Sequence, residues 1–304
     1  MVLIFETLIG IQNGALAGFE AFKGIAFVGF IRGVLNFPIM IIAVYYWKLP
    51  GAVIGLGLAA MCGYITAEIA LYRQGLKQGV VRKRKSVCSE LPILWKFSLP
   101  TVISSMIVSI SDWLCTALLV NRSDGYTQMA LFSAAFQWTT VIAFFPMTLA
   151  GPALSLMSNT YGKGEFVRYR KAVLANIKVV GGFTITMAAI VAVFANWIMK
   201  LYGDEYLSGV IVLQVLCASV VLHSVLLAIS QALYSMGRAK IDIIFGGIRV
   251  TFLLSLWLLL LDYGANGLAL AMAISFLLQL FIKGGYVLAA VNKLEAQQKA
   301  EYNV

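Results

Sequence analysis

Charge is what this chain has least of. Only 12% of its 304 residues are Asp, Glu, Lys or Arg, against about 25% in an average soluble domain. With 61% hydrophobic residues, a soluble globular fold is excluded. Histidine occurs once, at His223, which leaves no basis for a histidine-rich metal centre. The four cysteines, Cys62, Cys88, Cys115 and Cys217, are far apart and form no CxxC pair. They suggest neither a metal site nor a disulfide framework, only packing in apolar helices. No metal and no cofactor is expected.

What the chain has instead is long apolar runs. Several reach the ~20 residues that a bilayer crossing needs. They are too long and continuous for barrel strands, and a lipid-facing backbone must be satisfied within its own segment, so they read as helices. The fold class is an all-α polytopic membrane protein with about nine transmembrane helices, near 2–18, 24–47, 51–72, 94–120, 127–157, 172–199, 207–234, 241–261 and 267–290. The net charge of +10 sits mostly in alternate loops. Lys23, the run Arg82-Lys83-Arg84-Lys85, Arg168 with Arg170, Arg238 with Lys240, and Lys293 all fall on one side. This is the asymmetry of an inner membrane protein with those loops and the C-terminus in the cytoplasm, and it speaks against a nucleic-acid partner. Membrane lipids are the expected surroundings. The basic segment 73–93 could also touch anionic headgroups, although a solvated topology signal is the plainer reading.

Two distant stretches read alike. Gln12, Gly18, Lys23, Gly29, Ile31 and Arg32 are matched by Gln231, Gly237, Lys240, Gly246, Ile248 and Arg249. Gly51, Ala52, Gly55 and Leu56 then match Gly264, Ala265, Gly267 and Leu268. A duplicated helix pair in membrane sequence is the mark of a transporter built from two similar halves. The second copy follows about four spans and the first follows one. Two six-helix halves would therefore leave this chain without roughly its first three helices. The predicted organisation is 1–72, the remainder of an N-terminal lobe; 73–93, a basic cytoplasmic linker; 94–291, a C-terminal six-helix lobe; and 292–304, a cytoplasmic tail.

Polar residues align inside the predicted spans. Glu6, Asn13 and Glu20 recur every seven residues; Thr101, Ser105, Ser109, Asp112 and Thr116 form a stripe in the fourth span. Ser133, Gln137 and Thr140 mark the fifth, Ser219, His223 and Ser230 the seventh, and Ser275, Gln279 and Lys283 the ninth. A lone serine usually bonds back to its own helix. Stripes in several helices suggest a shared hydrophilic cavity, with Asn13, Ser105, Ser109, Gln137 and Gln279 as candidate lining. Arg32, Arg249, Lys178 and Lys283 are the candidate cationic site, suited to an anionic ligand and, through the guanidinium fork, to phosphate. Snorkelling to the surface is the simpler alternative for Arg32 and Arg249. Asp112, Glu68 and His223 are candidates for ion coupling, with Glu6 a further counter-ion. Pro38, Pro146 and Pro152 with Gly151 mark expected bends, and Gly51, Gly55 and Gly57 permit close helix contact.

The run Gln12-Asn13-Gly14-Ala15-Leu16-Ala17-Gly18-Phe19-Glu20-Ala21-Phe22-Lys23 resembles the Wzx-type O-antigen and polysaccharide-lipid flippases. So do Phe97-Ser98-Leu99-Pro100 with the serine-rich helix behind it, and Met129-Ala130-Leu131-Phe132 followed by Gln137-Trp138. These flippases belong to the multidrug/oligosaccharidyl-lipid/polysaccharide exporter superfamily. The resemblance is diffuse but covers nearly the whole chain, from the fourth family helix to the twelfth. It implies a two-lobe inverted-V exporter fold, here with an incomplete N-terminal lobe, around a cation-lined cavity. It implies movement of undecaprenyl-pyrophosphate-linked oligosaccharide from the cytoplasmic to the periplasmic leaflet by alternating access. A proton or sodium gradient is the candidate energy source, and polysaccharide polymerase and chain-length proteins are candidate partners. A multidrug/cation antiporter shares the architecture but would want an acidic, aromatic cavity. A membrane glycan polymerase or ligase would need a catalytic constellation that one histidine and scattered carboxylates do not make; no enzyme activity is expected.

Overall fold

The structure, a computed structural model, describes residues 2–79 and 99–302. Every regular element among the described residues is helical. Two compact units divide the chain, Met1–Ser86 and Val87–Val304. The run Arg82-Lys83-Arg84-Lys85 and Cys88 lie outside the described residues.

In the first unit, α1 (Val2–Gly18) precedes α2 (Phe22–Lys77). The 56 residues of α2 would measure about 84 Å as one rod at 1.5 Å per residue, far more than one bilayer. They are folded instead. Lys48 leaves the helical conformation, at φ 48° and ψ −126°, and the second arm runs back along the first. A Cβ on Gly51 would stand 1.9 Å from the Ala43 carbonyl oxygen, and one on Gly55 3.1 Å from Met40 Sδ. Gly51, Gly55, Ala59, Gly63 and Ala67 are buried at every fourth position, a small-residue seam of the kind that lets membrane helices approach closely. Gly57 lies off this seam, where a Cβ would stand 3.9 Å from Val2 Cγ2. Pro38 stays inside the first arm without ending it.

The second unit comprises α3 (Leu99–Val120), α4 (Gly125–Gly162), α5 (Phe166–Val193), short α6 (Ala195–Lys200), α7 (Val210–Ser235), α8 (Ala239–Leu259) and α9 (Gly264–Tyr302). Helix α7 is its centre. It packs against α4, α5 and α9, and its buried residues, from Val212 to Ser235, occupy most of its circumference, as expected for a helix surrounded by others. Core residues Leu213, Leu216 and Trp257 fill one end, and Met157, Tyr169 and Leu233 the other. Pro146 and Pro152 both lie inside α4, which continues to Gly162, because packed neighbours can support the backbone that proline leaves open. Helix α9 continues to Tyr302, and Arg170 Nε ties it to α5 through Asn292 Oδ1 at 3.0 Å and Glu295 Oε2 at 3.1 Å.

Six described helices are long and apolar enough to cross a membrane, and Val2–Gly18 and Met106–Val120 are shorter apolar helices. Aromatic side chains are exposed at the turns with few basic residues: Tyr45, Tyr46 and Trp47 in the first unit, Tyr126, Trp197 and Tyr263 in the second. Such rings favour the membrane–water boundary. The protein is a multi-span membrane protein.

The internal duplication is visible in backbone geometry, with a register that the sequence does not give. Gly264 has φ 56° and ψ −134°, the conformation of Lys48. Three residues later a Cβ on Gly267 would meet the Leu260 carbonyl oxygen at 2.2 Å, as Gly51 does at Ala43. The structural partners are therefore Lys48 with Gly264 and Gly51 with Gly267, shifted from the residue-by-residue match of Gly51 with Gly264. What repeats is the turn that reverses the chain.

Candidate functional site

A cavity of about 580 Å³ opens in the second unit between α3, α4, α7, α8 and α9. Its walls are apolar with polar groups at intervals, because each helix turns one polar stripe inward. Helix α8 supplies Asp242, Gly246 and Arg249; α9 supplies Phe276, Gln279 and Lys283; α7 supplies Ser219, His223 and Ser230.

Arg249 is only 6% exposed, so it does not snorkel. Its guanidinium carbon lies 4.9 Å from the Phe276 ring centroid, close enough for a cation–π contact. Asp112, on α3, is within electrostatic reach of it. Arg249 Nη1 is buried yet has no hydrogen-bond partner among the described residues. A buried guanidinium is costly to leave with a free donor, so this nitrogen is the group in the cavity most in need of an anionic oxygen.

Lys283 is different. It is 3% exposed and ion-paired with Asp242, and it also donates to Ser230 Oγ. Tyr234 Oη donates to Asp242 Oδ2 at 2.6 Å. Three helices, α7, α8 and α9, thus meet in one polar cluster. Counting ionised forms, the cavity carries Arg249 and Lys283 against Asp112 and Asp242. The counter-ion that the sequence suggests, Asp112, is joined by a second carboxylate, Asp242, which pairs with Lys283 directly.

The remaining candidates are dispersed. Lys178 is exposed and is not among the cavity-lining residues; on α5 it faces away from the buried stripe of Val173, Val180 and Thr184. Its similar depth along the helix does not place it on the same face. In the first unit Arg32 pairs with Glu6, and Glu68 Oε2 accepts a hydrogen bond from Gln12 Nε2 at 2.7 Å. Asn13 Oδ1 is buried without a partner among the described residues. Ser109, Asp112, His223 and Gln279 all line the cavity, and His223 packs on Phe276 at 5.1 Å. The side chain of Ser105 lies outside the described residues.

Gln137 lines a second compartment of about 470 Å³, which shares Asp112, Phe136, Thr140 and Met272 with the first. Sequence reasoning missed Asp242, Tyr234 and Phe276. An acid in the first turn of a helix ordinarily reads as a dipole partner, which hides Asp242. The available signal was that Asp242 is the one acidic residue inside the predicted span 241–261.

A family model described as MatE matches residues 100–256, just over half of the chain. The curated EPS I polysaccharide export inner membrane protein EpsE of Ralstonia nicotianae is 28% identical over 193 residues, covering 62% of this chain and 43% of that protein. The protein of the same name from Ralstonia solanacearum gives the same identity and coverage. The chain spans less than half the length of these curated relatives. Among solved structures, a mutant of the Vibrio cholerae MATE transporter VcmN superposes with a TM-score of 0.79 at 15% identity, covering 94% of this chain and 66% of that one. A MATE structure in a bent conformation gives 0.77 at 16% identity, covering 96% and 67%. At such identity the likeness speaks for the fold. The cavity in a bundle of membrane helices, the repeated hairpin and the matched family pattern agree: this chain belongs to the MatE family.

Proposed function

We propose that the chain serves a flippase for lipid-linked oligosaccharide, carrying an undecaprenyl-pyrophosphate-linked glycan from the cytoplasmic to the periplasmic leaflet of the bacterial inner membrane by alternating access. The observation that carries this reading is Arg249, buried in a polar cavity with one guanidinium nitrogen unpartnered among the described residues. A pyrophosphate oxygen would satisfy that donor, and arginine suits phosphate better than lysine because of its planar fork. Moving a sugar headgroup through ~30 Å of hydrocarbon is prohibitive without such a polar path. The role of EpsE in polysaccharide export points the same way. Under this reading the basic loops and the C-terminus are cytoplasmic, and a proton or sodium gradient supplies the energy, with Asp112, the cavity carboxylate that Lys283 does not pair with, for coupling. Polymerase and chain-length proteins would receive the product.

The test is complementation. The chain, alone and with any coding sequence upstream of Met1, is expressed in a strain lacking its own flippase, and surface polysaccharide is scored. Restoration that Arg249→Gln abolishes, at unchanged protein level, supports the reading; restoration that survives Arg249→Gln removes its basis.

A second reading keeps one observation of its own. Asp112 is exposed on the cavity wall near Phe136 and Phe276, a combination that also suits an organic cation. Ethidium efflux that depends on Asp112, without restored polysaccharide, would favour a multidrug/cation antiporter.

A further inference from the structure

The second compartment carries chemistry distinct from the first. Among the described residues no Lys, Arg or His lines it; its polar groups are Asp112, Thr116, Ser133, Gln137 and Thr140. Asp112 and Thr116 stand one turn apart on α3, and Ser133, Gln137 and Thr140 follow one face of α4 at spacings of four and three. Thr116 Oγ1 donates to the Trp113 carbonyl oxygen at 2.9 Å, so what it offers the compartment is an acceptor lone pair. Gln137 offers both an amide donor and a carbonyl acceptor, and is exposed to the compartment. Phe132 and Phe136 stack, with centroids 5.7 Å apart and planes at 20°. Phe132 is buried, whereas Phe136 is 43% exposed and belongs to both compartments. The inner ring thus fixes the outer one as a flat apolar wall.

We propose that this compartment is a saccharide subsite, holding the first sugar ring of the glycan beside the pyrophosphate held at Arg249. This rests on the flippase reading above. A pyranose has hydroxyls that both donate and accept around its edge and an apolar C–H face; the compartment pairs mixed donors and acceptors with an exposed aromatic face. A second anion would find no basic side chain among the described residues lining it and would meet the carboxylate of Asp112. An organic cation would find Asp112 alone, already within electrostatic reach of Arg249. The volume of about 470 Å³ accommodates a sugar ring, and the shared wall of Asp112, Phe136, Thr140 and Met272 puts it next to the phosphate-seeking guanidinium. Sugar preference is then set by α3 and α4, and phosphate affinity by α8.

The experiment measures binding of two probes to the purified full chain in lipid nanodiscs: undecaprenyl pyrophosphate, and undecaprenyl pyrophosphate bearing one N-acetylglucosamine. Wild type should hold the sugar-bearing lipid more tightly. Gln137→Ala and Ser133→Ala, at residues that line only the second compartment, should each erase that preference, weakening the sugar-bearing lipid about tenfold, the scale of one lost hydrogen bond or contact, and leaving the sugar-free lipid unchanged. Arg249→Gln should weaken both. Equal binding of the two probes by wild type, or variants that weaken both or neither, overturns the subsite while the flippase reading stands. Failure of wild type to bind either lipid overturns both. Binding of tetraphenylphosphonium that competes with the sugar-bearing lipid and is lost in Gln137→Ala makes the compartment a cation site and overturns the proposal. Gln137 is exposed and Ser133 half-buried, and unchanged melting temperatures separate a binding effect from misfolding.

Discussion

Lys283 and Asp242 form an ion pair at the junction of α7, α8 and α9, with side chains 3% and 14% exposed. Removing either partner leaves a buried charge without its counter-ion, which typically costs about 3–5 kcal/mol. Lys283→Met or Asp242→Leu alone should therefore lower the melting temperature and the yield of folded protein sharply. The double variant should recover most of the loss, since no net charge stays buried. Thermal unfolding in detergent of the two single variants and the double one checks this. Strict additivity of the two losses would show that the pair is not coupled.

Arg249 and Lys178 should separate cleanly in transport. Arg249→Gln keeps a polar side chain of similar reach but loses the charge. A charge-assisted hydrogen bond is worth about 1.5–3 kcal/mol, so a roughly 10- to 100-fold fall in transport rate is expected at normal expression. Arg249→Lys should recover only part of this, because an ammonium lacks the planar fork. Lys178→Gln should be near wild type, since Lys178 is exposed and off the cavity. Rates measured in the same vesicle preparation give the comparison.

Much of the fold can be read from the sequence because bilayer thickness dictates it. Apolar runs of fixed length had to be helices, and the spans found there match the helices of the structure, with α2 holding two of them as its arms. Arg249 stood out because an intramembrane cation is expensive and so signals a partner or a ligand. What could not be read was which side of a helix each group faces once neighbours are chosen. Lys178 shares the depth of the cavity cations and turns the other way. Lys283 looked like a free cation because its partner Asp242 lies far off in sequence, at a helix start where an acid has an ordinary explanation. The repeat was legible, but its register at the turns was not, since Lys48 and Gly264 share a conformation without sharing a side chain.

That shared conformation gives a prediction. Positive φ with ψ near −130° is a glycine conformation, and a side chain there is strained by about 1–3 kcal/mol. Lys48→Gly should raise the stability of the α2 hairpin, whereas Gly51→Ala should not be tolerated, its Cβ facing a backbone oxygen at 1.9 Å. Melting temperatures of the two variants should shift in opposite directions, upward for Lys48→Gly. A fall for Lys48→Gly would mean that the lysine side chain gives more than its backbone loses.

Two contacts link the α3–α4 turn region to the α8–α9 turn, and they should differ in worth. Arg122 Nη2 meets Asp262 Oδ1 at 2.8 Å, but the Asp262 side chain is 91% exposed. Exposed pairs of this kind contribute about 0–1 kcal/mol. Gln128 Oε1 instead accepts from the Ala265 backbone N–H at 3.0 Å, satisfying one of the donors that the start of α9 leaves open. The same oxygen lies 2.6 Å from where a Cβ on Gly264 would stand. Asp262→Asn should therefore barely change the melting temperature. Gln128→Ala should cost about 1 kcal/mol, the usual loss when a helix start loses a side-chain acceptor. Gly264→Ala should cost more than either, because it strains the turn and displaces Gln128 at once; in a Gln128→Ala background its effect should shrink to the backbone strain alone. A double-mutant cycle on positions 128 and 264 measures that difference, and a coupling of zero would mean that Gln128 moves aside freely.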